Sequence, residues 1–360
     1  MFRLYSICIV FCVLRFVAAA ESHGDAAPTH PDEKCVLDYT YEQRVAMSPR
    51  NKPADTDVLL LPQPSASNLY PNPVMLEAGR RISDDPTQDA DALIWQMVPK
   101  TDAHAEYLKK LDALSAAKQP LGLDLVDWCE KNKLPECAEF ELRRKLRTFK
   151  NYTESGYAPV YSRWLKYAER RHAAFCFPLP VAGEWMAQPS PVHRLHAEST
   201  FAMDLLMVEK GSQLRKAPTR MEDYYSWGQP ILAQADGIVV LVRDEMPDNK
   251  LGEMRGADAN NYIFVDYGGV IGNYAHLQQG SAQFKKGDRV KAGDVLAKVG
   301  ASGAAAVPHL HYTLRDIGWF SINGKYRFEV QSGATWKRVD GGELQENMHV
   351  RNVENPFQAK

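Results

Sequence analysis

Ala306-Val-Pro-His-Leu-His-Tyr312 is the stretch on which the reading of this chain turns, through the pair His309 and His311. It follows Gly303 and continues into Thr-Leu, so it reads as a short strand after a small-residue loop. In a strand, residues i and i+2 project from the same face, and the two imidazoles are expected to point into one space. Neutral imidazole is a common zinc ligand and also a general acid or base near neutral pH. One histidine could hold a metal while its neighbour handles protons. Taken alone, a His-x-His fits two exposed strand histidines equally well, so the weight falls on what surrounds it.

Around this stretch, from Cys176-Phe-Pro-Leu-Pro180 onward, the texture is one of short strands and tight turns. Gly228-Gln-Pro-Ile-Leu-Ala233, Asp236-Gly237 and Ile238-Val-Val-Leu-Val242 read as a hairpin with an Asp-Gly turn. Asn261-Tyr-Ile-Phe-Val-Asp266, Gly268-Gly269 and Val270-Ile-Gly-Asn-Tyr-Ala275 repeat the scheme, and Lys286 to Val299 supplies a third set. Closely spaced strands of this kind argue for a compact antiparallel sheet or barrel-like sandwich. Upstream, the pattern is helical from about Asp89 to His172. Leu93, Ile94 and Met97, then Tyr107, Leu108, Leu111 and Leu114, recur at three- and four-residue steps, with Pro99 between them. Further helices are expected around Leu123–Trp128, Phe140–Phe149 and Trp164–Tyr167. The fold class is therefore α+β, a helical region followed by a mainly antiparallel β domain. The boundaries read as a signal peptide over 1–20, a Pro-rich extended arm over 21–88 and a helical domain over 89–173. A β domain over 174–320 and a C-terminal extension over 321–360 follow.

Residues 1–20 join a basic start, an apolar run from Leu4 to Val17 and Ala18-Ala-Ala20, the three parts of a secretory signal cleaved near Ala20. The run is too short to span a bilayer, and no second one follows, so the mature chain is expected to lack a transmembrane segment. A periplasmic or secreted location follows. Cys35, Cys129, Cys137 and Cys176 would remain, and four cysteines in an exported chain suggest two disulfides. The short loop between Cys129 and Cys137 favours that pair, leaving Cys35 with Cys176. The net charge of −2 gives no electrostatic case for nucleic acid.

The β domain also carries His193, His196 and His276. Asp204, in Phe201-Ala-Met-Asp-Leu-Leu206, is a carboxylate among apolar residues, and a buried charge needs a partner. A metal is a natural one. His196 lies eight residues earlier across a polar loop, and His276 ends a strand in Tyr274-Ala-His276-Leu. Two histidines and one aspartate would leave a tetrahedral zinc with an open position for water, as hydrolytic sites require.

His196, Asp204, Tyr274-Ala-His276-Leu, Gly287-Asp-x-Val-x-x-Gly293, Val299-Gly300, Ser302-Gly303 and His309-Leu-His311 occur in the order of the LytM/lysostaphin-like zinc metallopeptidases, which this chain resembles over roughly 180–316. Gly228-x-Pro-Ile-x-Ala233 with Asp236-Gly237 is similar as well. The resemblance implies a groove of two antiparallel sheet layers that cuts peptide cross-links of bacterial peptidoglycan. It implies Zn2+ held by His196, Asp204 and His311, with His276 and His309 as the catalytic pair. Many members place the first histidine four residues before the aspartate, where this chain has Thr200. His196 is the reading for that ligand and His193 the alternative. A catalytically inactive module that binds the wall or activates another hydrolase is the competing function. A carrier-type barrel is disfavoured, because no lysine sits at a convincing hairpin tip. The helical domain is expected to restrain the groove, position the enzyme or bind a regulatory protein partner.

Overall fold

The computed structural model describes residues 34–47, 101–116, 122–316, 319–354 and 356–357, with the backbone of three further strands, β1 (Val58–Pro62), β2 (Val74–Leu76) and β3 (Ile94–Pro99). The expected signal and most of the expected Pro-rich arm lie outside these residues. β1 sits between β2 and β3 in a small antiparallel sheet. Ile94–Pro99, expected as helix, is thus a strand. A six-residue apolar run cut by a proline is too short for period alone to tell the two apart.

The helices that follow are where the apolar spacing puts them: α2 (Asp102–Ala116), α3 (Asp124–Lys131), α4 (Pro135–Leu146) and α5 (Tyr157–Ala168). A short α1 (Tyr41–Met47) precedes them. Their apolar faces meet in one core that includes Tyr107, Leu111, Val126, Phe140, Leu142 and Trp164. That core does not close on itself. Ala197 and Phe320, from the β domain, complete it. Beside it, Arg143 makes 2.8 Å ion pairs with both Glu139 and Asp316. The helical unit is therefore joined to the sheet by shared apolar surface and a buried ion cluster.

The β domain contains β4 (His172–Pro178), β5 (Glu184–Gln188), β6 (Met203–Met207), β7 (Pro230–Leu232), β8 (Gly237–Arg243), β9 (Tyr262–Asp266), β10 (Val270–Ala275), β11 (Arg289–Val290) and β12 (Val295–Lys298). It continues through β13 (Leu310–Asp316), β14 (Asn323–Ser332), β15 (Thr335–Gly342) and β16 (Met348–Arg351). Eleven of these form one sheet in the order β11-β8-β9-β10-β13-β6-β5-β16-β14-β15, with β4 added parallel to β14. β7 and β12 form a separate pair, whose Ile231, Leu296 and Ala297 pack into the same core as Tyr274 and Tyr312 of the large sheet. The mainly antiparallel α+β fold is as expected. Two local expectations differ. The stretch 321–360 is no appendage, because β14, β15 and β16 extend the main sheet past the 320 boundary. The Gly228–Val242 hairpin is not formed either, since β7 pairs with β12 while β8 pairs with β9 and β11. The β9–β10 hairpin is present, and its turn needs Gly268 and Gly269 at φ 90° and 103°. Asp266 Oδ1 accepts from both of their amides. A Cβ on Gly268 would also lie 2.6 Å from the Cβ of Arg44, so this glycine lets α1 dock on the turn.

Among the described residues no disulfide joins the four cysteines, contrary to expectation. All four side chains are buried, and burial pushes the Cys137 and Cys176 thiols up to about 12, each disfavouring the reactive thiolate.

Candidate metal centre

Strand register assembles half of this site. His311 on β13 pairs directly with Asp204 on β6 on one side and with Ala275 on β10 on the other. Alternation turns Leu310, Tyr312 and Leu314 into the core and leaves His311 on the opposite face. Behind the strands, Tyr274 and Tyr312 each donate a 2.8 Å hydrogen bond to Gln234 Oε1, and Tyr274 also bonds Tyr267 at 2.6 Å. A one-residue slip of either strand would break that buried polar network and turn His311 away, so the register is strongly specified.

The third member comes from a loop. His193 opens a 3-10 turn, His193–Leu195, between β5 and β6. Its Nε2 lies 3.1 Å from His311 Nδ1 and 3.4 Å from Asp204 Oδ1, while His311 Nδ1 lies 3.2 Å from the same carboxylate oxygen. The three donor atoms form a compact triangle. His196 is not part of it. Its backbone leaves the 3-10 turn at φ −120°, ψ 126°, and its ring packs edge-on against Tyr152 of the helical unit at 4.4 Å. The structure therefore places His193, and not His196, beside Asp204 and His311.

His309 and His276 complete the cluster. His309 Nε2 lies 3.5 Å from Asp204 Oδ1, and the His276 ring centre is 4.6 Å from that of His309 and 5.6 Å from that of His311. Each is oriented by a carbonyl: His276 Nδ1 lies 2.8 Å from Ser302 O, and His309 Nδ1 lies 2.9 Å from Val307 O. A proton on each Nδ1 donates to that carbonyl and leaves Nε2 bare. His193 Nδ1 is held differently, 3.2 Å from Ala202 O and 3.3 Å from the Ser190 amide that donates to it. His276 also has a left-handed φ of 61°, so backbone strain sits at the cluster.

The loop leading to His309 is braced by Asn249, which sequence patterns did not single out, and by the Ser302-Gly303 pair, which they did. Buried Asn249 donates to Gly303 O and Ala305 O at 2.7 and 2.8 Å. Ser302 Oγ donates to Leu277 O and accepts from Asn261 N. Gly303 must be glycine, since its φ is 68° and a Cβ there would lie 1.6 Å from Asn260 Oδ1. The Ser302-Gly303 pair was legible as a motif, but Asn249, over fifty residues away, carried no local signal.

Electrostatics fit a cationic occupant. Burial would raise the Asp204 carboxyl, but His309, His193 and His311 together pull it well below the usual carboxylate range. Burial pushes His193 down to about 4 against the opposing pull of Asp204, and it drives His276 well below the ordinary imidazole value. The Asp204 carboxylate thus faces His193, whose imidazole burial keeps neutral at pH 7. Two imidazole nitrogens and one carboxylate oxygen are a zinc donor set. Ligand atoms at the usual bond lengths around a tetrahedral zinc are roughly 3.3 Å apart, close to the 3.1, 3.2 and 3.4 Å found.

Residues 223–325 match the sequence model of peptidase family M23. Over that span the chain is similar to the M23 peptidases. The matched span holds His276, His309 and His311, while His193 and Asp204 lie upstream of it. Two curated relatives from Vibrio cholerae, named peptidoglycan DD-endopeptidases ShyC and ShyA, are each 31% identical, over 101 and 88 residues. The ShyC match covers 28% of this chain and 19% of the relative, and the ShyA match 24% and 17%. The chain thus spans under a fifth of the length of these relatives. A Pseudomonas aeruginosa structure described as an M23 peptidase is 26% identical, with a TM-score of 0.26, over 41% of this chain and 47% of that one. Among the described residues, no helix is long and apolar enough to cross a membrane.

Proposed function

We propose that this chain is an exported zinc metalloendopeptidase that hydrolyses peptide cross-links of bacterial peptidoglycan. The observation that carries the reading is the triangle of His193, Asp204 and His311, with His309 and His276 facing it. His193 Nε2, Asp204 Oδ1 and His311 Nδ1 would hold zinc, which supplies polarisation of the scissile carbonyl and a water acidified toward neutral pH. Outside that donor set, His309 and His276 keep their Nδ1 atoms on carbonyls and present bare Nε2 atoms to the same space. One can accept a proton from the attacking water, and either, once protonated, can donate to the oxygen on which charge develops. Burial keeps His276 neutral before the reaction, as a proton acceptor must be. The peptidoglycan substrate follows the names of the two curated relatives, and export follows from the apolar leader together with such a substrate. A regulatory partner acting on the helical unit would reach the centre through the 196–201 turn, which that unit holds.

Zinc stoichiometry, followed by release of cross-link fragments from purified peptidoglycan, tests the reading. One zinc per chain is expected, lost in His193→Ala and His311→Ala and retained in His196→Ala. Absence of zinc after reconstitution, or bound zinc with intact sacculi, would overturn it in favour of an inactive wall-binding or activating module.

A further inference from the structure

The face of the sheet that bears His311 continues past the metal centre in rows set by strand register. The first row is His311, Ala275 and Tyr262, the second Thr313, Asn273 and Phe264, and the third opens with Arg315 and Ile271. Arg315 does not stay over its own row. Its guanidinium lies 5.3 Å from the centre of the Phe264 ring, so it leans back one row toward the metal centre. It is poorly satisfied there. Its side chain is only 11% exposed and its Nε has no hydrogen-bond partner. Two carboxylates act on it: Glu198, at 3.8 Å on a side chain 66% exposed, and Asp316, which is already paired with Arg143 and Arg171. In the same row Asn273 is buried, and its Oδ1 also lacks a partner. A buried cation without a good counter-ion is costly, so its retention calls for an occupant.

We propose that Arg315 is a specificity-determining residue that binds a carboxylate of the peptide substrate, with Glu198 as its intramolecular stand-in. This rests on the endopeptidase reading above. A strand rises about 3.3 Å per residue, so the second row lies roughly 7 Å from the first. The carboxylate it takes is therefore about two residues from the scissile bond on an extended peptide. The guanidinium fork binds it through charge-assisted hydrogen bonds, and Asn273 Oδ1 accepts a peptide N–H beside it. The ligand class is an acidic peptide, and amidation of its carboxylates removes the feature being read.

The test compares a soluble cross-linked peptide dimer excised from peptidoglycan with its fully amidated counterpart. Equilibrium affinity is measured on the full chain under chelation, and kcat/KM on the zinc-loaded protein. The acidic dimer is expected to bind at least about tenfold more tightly, as charge-assisted pairing allows. Arg315→Gln is expected to bring the two peptides within twofold while leaving affinity for the amidated one unchanged. Arg315→Lys, which keeps the charge but loses the fork, retains part of the preference and serves if the glutamine variant does not fold. Equal affinity of the wild type for both peptides, or a parallel loss of both in the variants, would overturn the proposal. Hydrolysis of neither peptide counts against the endopeptidase reading alone, because the binding comparison still decides the role of Arg315.

Discussion

Two of the three candidate metal ligands stand on strands, and the third stands on a loop. Asp204 and His311 face each other because β6 and β13 pair in one register, and the tyrosine network behind the strands holds that register. His193 reaches the same point from a turn whose position depends on another part of the chain. Tyr157 Oη accepts from Ala197 N at 3.4 Å, Tyr161 and Thr200 share a 3.2 Å hydrogen bond, and His196 rests on Tyr152. Phe320 of the β domain is seated in the helical core. A strand-borne ligand is thus held by local backbone pairing, and a loop-borne one by packing between the two units. The lesson is that the helical unit bears on the metal centre through the ligand that local structure holds least.

The comparison can be broken most sharply at the strands. His311→Ala or Asp204→Ala should abolish zinc retention and lower hydrolysis by roughly 10³-fold or more, the scale of losing a principal transition-state stabiliser. Metal analysis and fragment release check this, and either variant keeping full zinc would show that the strand pair is not the anchor. On the loop, His193→Ala should lose zinc as completely while His196→Ala changes activity by only a few-fold. The opposite order would restore the nearer histidine as ligand.

Smaller effects belong to the join between the units. Arg143→Met leaves the more exposed Arg171 as the shared cation of Glu139 and Asp316 and should destabilise the fold by about 1–3 kcal/mol, read from denaturant unfolding. Burial opposes ionisation of Asp316, but Arg143 and Arg171 outweigh it and hold the carboxyl below its ordinary value. Its folded pKa is lowered, so its contribution is fully present above about pH 4 and disappears as pH falls through the folded value. Asp316→Asn should therefore flatten the acid limb of the stability curve below about pH 4, and an unchanged slope would remove this pair from the account. The smallest effect expected is that of Tyr152→Ala. It should weaken zinc roughly tenfold, as loss of an outer support does, with only ~1 kcal/mol lost from global stability. Unchanged zinc affinity would mean that His193 is held without the helical unit.

Much of the fold was legible along the chain. The three- and four-residue spacing of Tyr107, Leu108 and Leu111 marks a helix that the structure contains, and Asp266 with Gly268-Gly269 marks a hairpin that is present. Ile94–Pro99 is a strand where the spacing predicts helix, because a short apolar run carries no decisive period. The pairing of β7 with β12 was not legible at all, because a strand's partner is chosen by the shared core and not by the nearest turn. The candidate site divides in the same way. Asp204 is marked by a carboxylate among apolar residues, whereas His276, His309 and His311 stand out only through the ordered motifs the chain shares with the metallopeptidases it resembles.

What the sequence by itself determined is therefore the chemistry: imidazoles and one carboxylate, carried by short strands downstream of a helical region. The tertiary structure alone decided which histidine joins them. His193 and His196 are one 3-10 turn apart and equally plausible as residue types. The choice was made by a backbone that leaves the turn at His196, by Tyr152 receiving that ring, and by Ala202 O holding the other imidazole toward Asp204. Those contacts join residues up to 44 positions apart, and no local pattern encodes them, because they come into being only when the two cores close on each other.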